Sequence, residues 1–305
     1  MKRIIIKIFL IGLMVLIISG LTLHLHSVYK RHQIMNNFEK EPINQYETLE
    51  VDGLSMAYRM KGDRDAPTLV MIHGFLGSSY DFRKIMEPLS EDYHLIAVDM
   101  IGFGHSEKPS DFTYTEPNQA HHIQMLLDTL NIDNYALLGH SMGTRVALTL
   151  NDIDQDKVNK LILLSPAGTQ NRETSTTPPK IFYEYLFKNY TLQRLGFRSV
   201  HDQTDYKSAT YFDPMFYFTS QIPSSVLRQM NERDSTSDWD EIIENTRNET
   251  LIIIGNNDTW TPLAISEAYE ESLLNATLQT IAETGHMPMI ESSAEVLALI
   301  QSLLR

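Results

Sequence analysis

The sequence predicts an α/β fold: a doubly wound, mostly parallel sheet interrupted by one long insertion and preceded by a membrane-spanning helix. Three observations predict it. Short apolar runs alternate with helix-favouring segments from about residue 68 onward. That alternation lapses for about eighty residues after Leu164 and resumes at Thr250. Near the middle, Gly139-His-Ser-Met-Gly143 stands between the apolar run Tyr135–Leu138 and a helix-favouring run, which is the strand, sharp turn and helix of a G-x-S-x-G elbow.

Composition narrows the function classes. With 25 Lys+Arg against 39 Asp+Glu the formal charge is −14, which repels a nucleic-acid backbone. No cysteine is present, so disulfides, thiolate metal sites and a thiol nucleophile are excluded. No His/Asp/Glu cluster has metal-ligand spacing, so neither a metal nor another cofactor is expected. At 305 residues the chain is long enough for one large core with an insertion.

The N-terminus begins with Lys2 and Arg3 and runs apolar from Ile4 to Leu23 with one early charge, Lys7. Twenty helical residues reach about 30 Å, the thickness of a hydrocarbon core. Residues 1–32 are therefore expected to be an anchor, with a cleaved signal peptide as its competitor, and residues 33–45 a polar tether. Lys2, Arg3, Lys7 and the amino group on one side, against Lys30 and Arg31 on the other, put the N-terminus in the cytoplasm and the remainder outside it.

The soluble part begins near Tyr46. Thr48–Val51 and Leu54–Tyr58 flank Asp52-Gly53, a hairpin signal, since both central residues of a type I′ turn need positive φ. Thr68–Ile72 reads as a buried strand running into His73-Gly-Phe-Leu-Gly-Ser78, where the backbone N–H of Phe75 can serve as an oxyanion donor. His94–Val98 is the next strand and ends in Asp99-Met-Ile-Gly-Phe-Gly-His-Ser106. Glu116–Leu130 carries Ile123, Leu126, Leu127 and Leu130 at helical spacing, read as core. In the elbow, Ser141 occupies the tip, and the N–H of Met142 lies at the start of the following helix as a second donor.

After the strand Leu161–Leu164 the insertion spans about 168–245, between core segments 46–167 and 246–305. It holds twelve Phe and Tyr residues between 182 and 218, which form either a wall against the sheet or the insertion's own core. Beyond Thr250–Ile254, Asp258 is the carboxylate at the strand end, with an Asx-turn or helix cap as the plain alternative. The last strand, Leu278–Ile281, leads to His286 and a C-terminal helix over Glu291–Leu304. Of eleven histidines, His286 alone follows a late strand in the order Ser141, Asp258, His286.

These motifs together resemble the α/β-hydrolase superfamily from about Tyr46 to the C-terminus. The resemblance implies that Ser141 is the nucleophile, Asp258 the acid, His286 the base, Phe75 and Met142 the oxyanion donors, and 168–245 a cap. With an anchor, the chain looks most like bacterial lipases and monoacylglycerol-lipase-type esterases. That implies a small-molecule ester or lipid as substrate and a membrane as neighbour. Carbon-carbon bond hydrolases of the superfamily share the elbow and cap, and a ligand-sensing member without catalysis is the third class. Haloalkane dehalogenases and epoxide hydrolases carry aspartate in place of Ser141. The chain departs from many relatives at Thr144, where a third glycine is common, and in having a single His-Gly pair at the oxyanion loop.

Overall fold

The structure, a computed structural model, describes residues 2–38, 45–169, 185, 187–198, 200–202, 208–232 and 237–305. Helix α1 covers Lys2–Phe38. The hairpin follows as β1 (Glu47–Val51) and β2 (Leu54–Lys61), and its turn residues Asp52 and Gly53 have φ of 48° and 74°, as the Asp-Gly pair requires. Then come β3 (Thr68–Ile72), α2 (Arg83–Leu89), β4 (His94–Val98), α3 (Glu116–Thr129), β5 (Tyr135–His140), α4 (Met142–Ile153) and β6 (Val158–Leu164). The insertion carries α5 (Tyr190–Phe197), α6 (Ala209–Thr219), α7 (Ser224–Glu232) and α8 (Trp239–Asn245). The chain closes with β7 (Glu249–Gly255), α9 (Leu263–Ser272), β8 (Ala276–Ile281), α10 (Pro288–Glu291) and α11 (Ser293–Leu304).

The eight strands form one sheet in the order β1-β2-β4-β3-β5-β6-β7-β8. Only the β1–β2 and β2–β4 pairs are antiparallel. From β3 the chain steps to β4 on one side and then to β5 on the other, so the order reverses beside β3, where the carboxyl ends of strands leave a crevice.

Strand side chains alternate between two buried layers, the period of two that a sheet covered on both faces imposes. Val70, Ile72, Leu137, Leu161 and Leu163 face α3, α4 and α8. Leu69, Met71, Leu138, Ile162 and Leu164 face α2, α10 and α11. The insertion divides. Val226, Leu227 and Met230 of α7 and Trp239 and Ile242 of α8 join the first layer. Tyr190, Phe197, Phe212, Phe216, Tyr217 and Phe218 instead form a third cluster together with Ile34 of α1. Those aromatics are thus the insertion's own core, while Phe182, Tyr183 and Tyr206 lie outside the described residues.

Helix α1 has two parts of different character. Its aliphatic residues from Ile6 to Leu25 are exposed, Leu16 by 71%. Further along, Ser27 and Ile34 are buried, with Met35 and Phe38 packed on the third cluster. The tether expected over 33–45 is therefore helical through Phe38, and residues 39–44 lie outside the described residues. The physical reason is burial of Ile34: a flexible tether would leave the apolar face of α5 and α6 in water.

Candidate active site

Ser141 stands between β5 and α4 with φ 50° and ψ −120°, a conformation that costs a non-glycine residue on the order of 1–3 kcal/mol and persists only where its surroundings enforce it. The surroundings are close. A Cβ on Gly139 would lie 2.6 Å from the Thr144 Cα, and one on Gly143 would lie 2.3 Å from the Ile72 carbonyl oxygen. Glycine at both positions lets β5, α4 and the end of β3 meet. Thr144 has a use of its own. Its hydroxyl donates to the Ser141 carbonyl at 2.5 Å and accepts the Ala167 N–H at 3.3 Å, so this departure from a third glycine braces the elbow.

The loop after β3 lies directly against the elbow: a Cβ on Gly74 would come within 3.0 Å of the Ser141 Cβ. His73 fixes this loop from behind. Its Nδ1–H donates to the Gly74 carbonyl at 2.7 Å and its Nε2 accepts the Met100 N–H at 3.1 Å, an arrangement open only to neutral imidazole. Burial pushes the His73 pKa down, which keeps that state. Asp99 ties in the neighbouring loops, accepting the N–H of Ser79 at 2.6 Å and of His105 at 2.8 Å. Phe75 follows Gly74 in this loop and is 38% exposed, its ring edge-on to Phe103. Met142 is the first residue of α4, and an N–H in that position has no acceptor within its own helix.

Asp258 and His286 meet at the carboxyl ends of β7 and β8. His286 Nδ1–H donates to Asp258 Oδ2 at 2.8 Å, and the carboxylate is fully buried. Asp258 Oδ1 also accepts the N–H groups of Trp260 (2.8 Å) and Thr261 (2.9 Å), while the Thr261 hydroxyl donates to Oδ2 at 2.7 Å. Burial pushes this carboxyl up, but His286 and then Thr261 outweigh it and bring the pKa to about 2. The Asx-turn and the pairing with histidine coexist in one residue, because a carboxylate has two oxygens to share. Thr261 carries no motif, and its part in the site is visible only in three dimensions.

His140, beside Ser141, reaches across to the loop after β8. Its Nε2–H donates to the His286 carbonyl at 2.8 Å, with ring centroids 5.0 Å apart. Burial, followed by the charge of His286, pushes the His140 pKa down to about 3. The structure thus gathers Phe75, Ser141, Met142, Asp258 and His286 on one edge of the sheet, through the Gly74–Ser141 approach and the His140–His286 bond. A polar surface cleft lined by Asp152, Gln155 and Lys157 lies at the opposite edge and holds none of them.

A serine on a strained turn, main-chain N–H groups and an imidazole backed by a buried carboxylate, all at the carboxyl ends of strands of one sheet, are the groups that nucleophilic attack on a carbonyl uses. Residues 67–293 match the family model for the alpha/beta hydrolase fold. The chain belongs to that family. Among curated relatives, a 2-hydroxymuconate semialdehyde hydrolase of Pseudomonas sp. (strain CF600) is 28% identical over 77% of this chain and 86% of its own length. Lipase 3 of Moraxella sp. (strain TA144) is 26% identical over 83% of this chain and 85% of its own. Among solved structures, a membrane phospholipase A described as a bacterial virulence factor superposes with a TM-score of 0.73 at 22% identity, covering 100% of this chain and 98% of that one. That last likeness concerns the fold, α1 included.

Proposed function

We propose that this member of the alpha/beta hydrolase fold family is a membrane-anchored serine hydrolase of carboxylic esters with an apolar acyl group, of the monoacylglycerol type. The observation that carries the reading is the buried Asp258 carboxylate on His286 Nδ1, which leaves Nε2 as the basic nitrogen. In this mechanism Ser141 Oγ attacks the carbonyl carbon and its proton passes to His286 Nε2. The N–H groups of Phe75 and Met142 hold the oxyanion. Collapse expels the alcohol, which takes the proton from His286 and leaves an acyl-enzyme. Water then loses a proton to His286, attacks the acyl carbon, and the carboxylic acid departs as Ser141 Oγ regains its proton.

Helix α1 supports the membrane part of the reading. Its exposed aliphatic stretch is long enough to span a bilayer, and the helix continues without a break into residues packed on the insertion, whereas a signal peptidase needs an extended site. On this reading the N-terminus is cytoplasmic, the catalytic domain is extracytoplasmic, and residues 168–245 form a cap held near the bilayer. An acyl chain entering from there gains about 0.8 kcal/mol per buried methylene.

A fluorophosphonate probe is expected to label Ser141, with labelling lost in Ser141→Ala, and turnover is expected to favour long-chain over short-chain esters. The similarity to a 2-hydroxymuconate semialdehyde hydrolase favours carbon-carbon bond hydrolysis as the second reading. Labelling of Ser141 together with turnover of 2-hydroxymuconate semialdehyde and none of any ester would select it. Labelling that survives Ser141→Ala removes both readings.

A further inference from the structure

The loop that carries His286 is held from the outside by a short strap of the insertion, Val200–Asp202. The His286 N–H donates to the Val200 carbonyl at 2.9 Å. There is no slack between strap and loop, since a Cβ on Gly285 would lie 2.7 Å from the Asp202 nitrogen and 2.8 Å from the Val200 oxygen. At the junction sits Glu291, whose side chain is fully buried. Its Oε2 accepts the N–H of Asp202 at 2.9 Å and of Gly285 at 3.2 Å, and its Oε1 accepts the N–H of Met287 at 3.3 Å. His201 Nδ1 lies 3.1 Å from Oε1, and the His201 ring packs edge-on against Phe197 of α5 at 4.7 Å between centroids. One carboxylate therefore receives the amides on both sides of His286 and the amide of the strap.

A carboxylate is the one side chain of this size that can accept on both oxygens without presenting a donor. Within a site closed to water, losing either acceptor leaves a main-chain N–H without a partner. We propose that Glu291 is a positioning residue. It locks the strap Val200–Asp202 onto the loop Gly285–Met287, so that His286 keeps its place against Asp258 only while the insertion is seated. The strap joins α5, and α5 joins α1, so the lock makes the base answer to the position of the cap. This rests on His286 being the base of the proposed reaction.

The test uses the full chain in detergent, with Glu291→Gln and His201→Phe compared with wild type. Glutamine keeps the size but sets an NH2 against a main-chain N–H. Phenylalanine keeps the ring against Phe197 and removes the nitrogen facing Glu291. On a nitrophenyl ester, Glu291→Gln is expected to lower kcat about 10- to 100-fold with KM within threefold, the loss that small misplacements of a catalytic group produce. His201→Phe should lower kcat in the same manner by less. Amide hydrogen exchange at His286 and Met287 should quicken in both variants, a readout that holds whether or not the protein is an esterase. Wild type that neither labels at Ser141 nor turns over an ester would fell the proposed reaction, leaving the exchange rates to decide the lock. Folded variants with wild-type kcat and wild-type exchange overturn the proposal, and so does a rise in KM alone. Where Glu291→Gln does not fold, His201→Phe decides by the same two readouts.

Discussion

The imidazole Nε2–H of His140 donates to the carbonyl oxygen of His286 at 2.8 Å, joining the residue before Ser141 to the loop after β8. The two positions are 146 residues apart in the chain. The bond needs a proton on Nε2, and burial, which pushes the pKa of that ring down to about 3, keeps the donating imidazole neutral.

A pH dependence follows from this. His140 titrates near 3 in the folded protein against 6.5 for the free side chain, and the His73 pKa is pushed down as well. Between those values the unfolded chain binds more protons than the folded one, so stability falls as pH drops from about 6.5 toward 3. The stabilisation is complete above the unfolded value. Urea midpoints measured at intervals from pH 7 to pH 4 are expected to decline, and less steeply in His140→Phe than in wild type. Equal slopes in the two proteins would show that His140 is not the group responsible.

Thr261 supports Asp258 through both its hydroxyl and its N–H. In Thr261→Val the N–H remains and the hydroxyl is lost, with little change in volume. A hydrogen bond to a charged acceptor contributes about 1.5–3 kcal/mol, so kcat is expected to fall roughly tenfold or more. The Asp258 pKa is expected to rise above 2 with that bond gone. Steady-state kinetics of the variant on a nitrophenyl ester checks the rate, and kcat within twofold of wild type would leave the hydroxyl without a part in the site.

The two parts of α1 predict that the place of truncation matters. Removing residues 1–25 takes away the exposed aliphatic stretch and keeps Ser27 and Ile34, which are 3% exposed each. Ser27 Oγ accepts the Tyr190 N–H at 2.8 Å, and Arg31 reaches the Ser220 carbonyl at 3.3 Å. The shorter truncation is expected to be soluble with a melting temperature near that of the full chain. Removing residues 1–38 uncovers the third cluster, where loss of Ile34 alone costs about 2–5 kcal/mol. It should melt several degrees lower, and cutting at residue 32 should fall between. Thermal unfolding of the three forms checks the order. Full-length chain alone should pellet with membranes and hold an advantage on membrane-embedded monoacylglycerol.

Much of this molecule is local in the chain, and those parts are readable one segment at a time. Buried strands announce themselves as apolar runs, Asp52-Gly53 as a turn of positive φ, and Gly139 to Gly143 as an elbow whose glycines are demanded by contacts within a few residues or with the adjacent strand. The order of Ser141, Asp258 and His286 is likewise visible, since each follows its own strand. The partners that meet side on were not. Thr261 on Asp258, His140 on the His286 carbonyl and Glu291 between strap and loop depend on segments brought together by the sheet order β3-β5-β6-β7-β8, and no periodicity encodes which loops then touch. Residues 33–38 show the same limit. Their polar composition reads as a tether because Ile34, Met35 and Phe38 are too few to signal a buried face by themselves. Only the apolar surface that α5 and α6 present to them, more than 150 residues away, makes helix the favourable state.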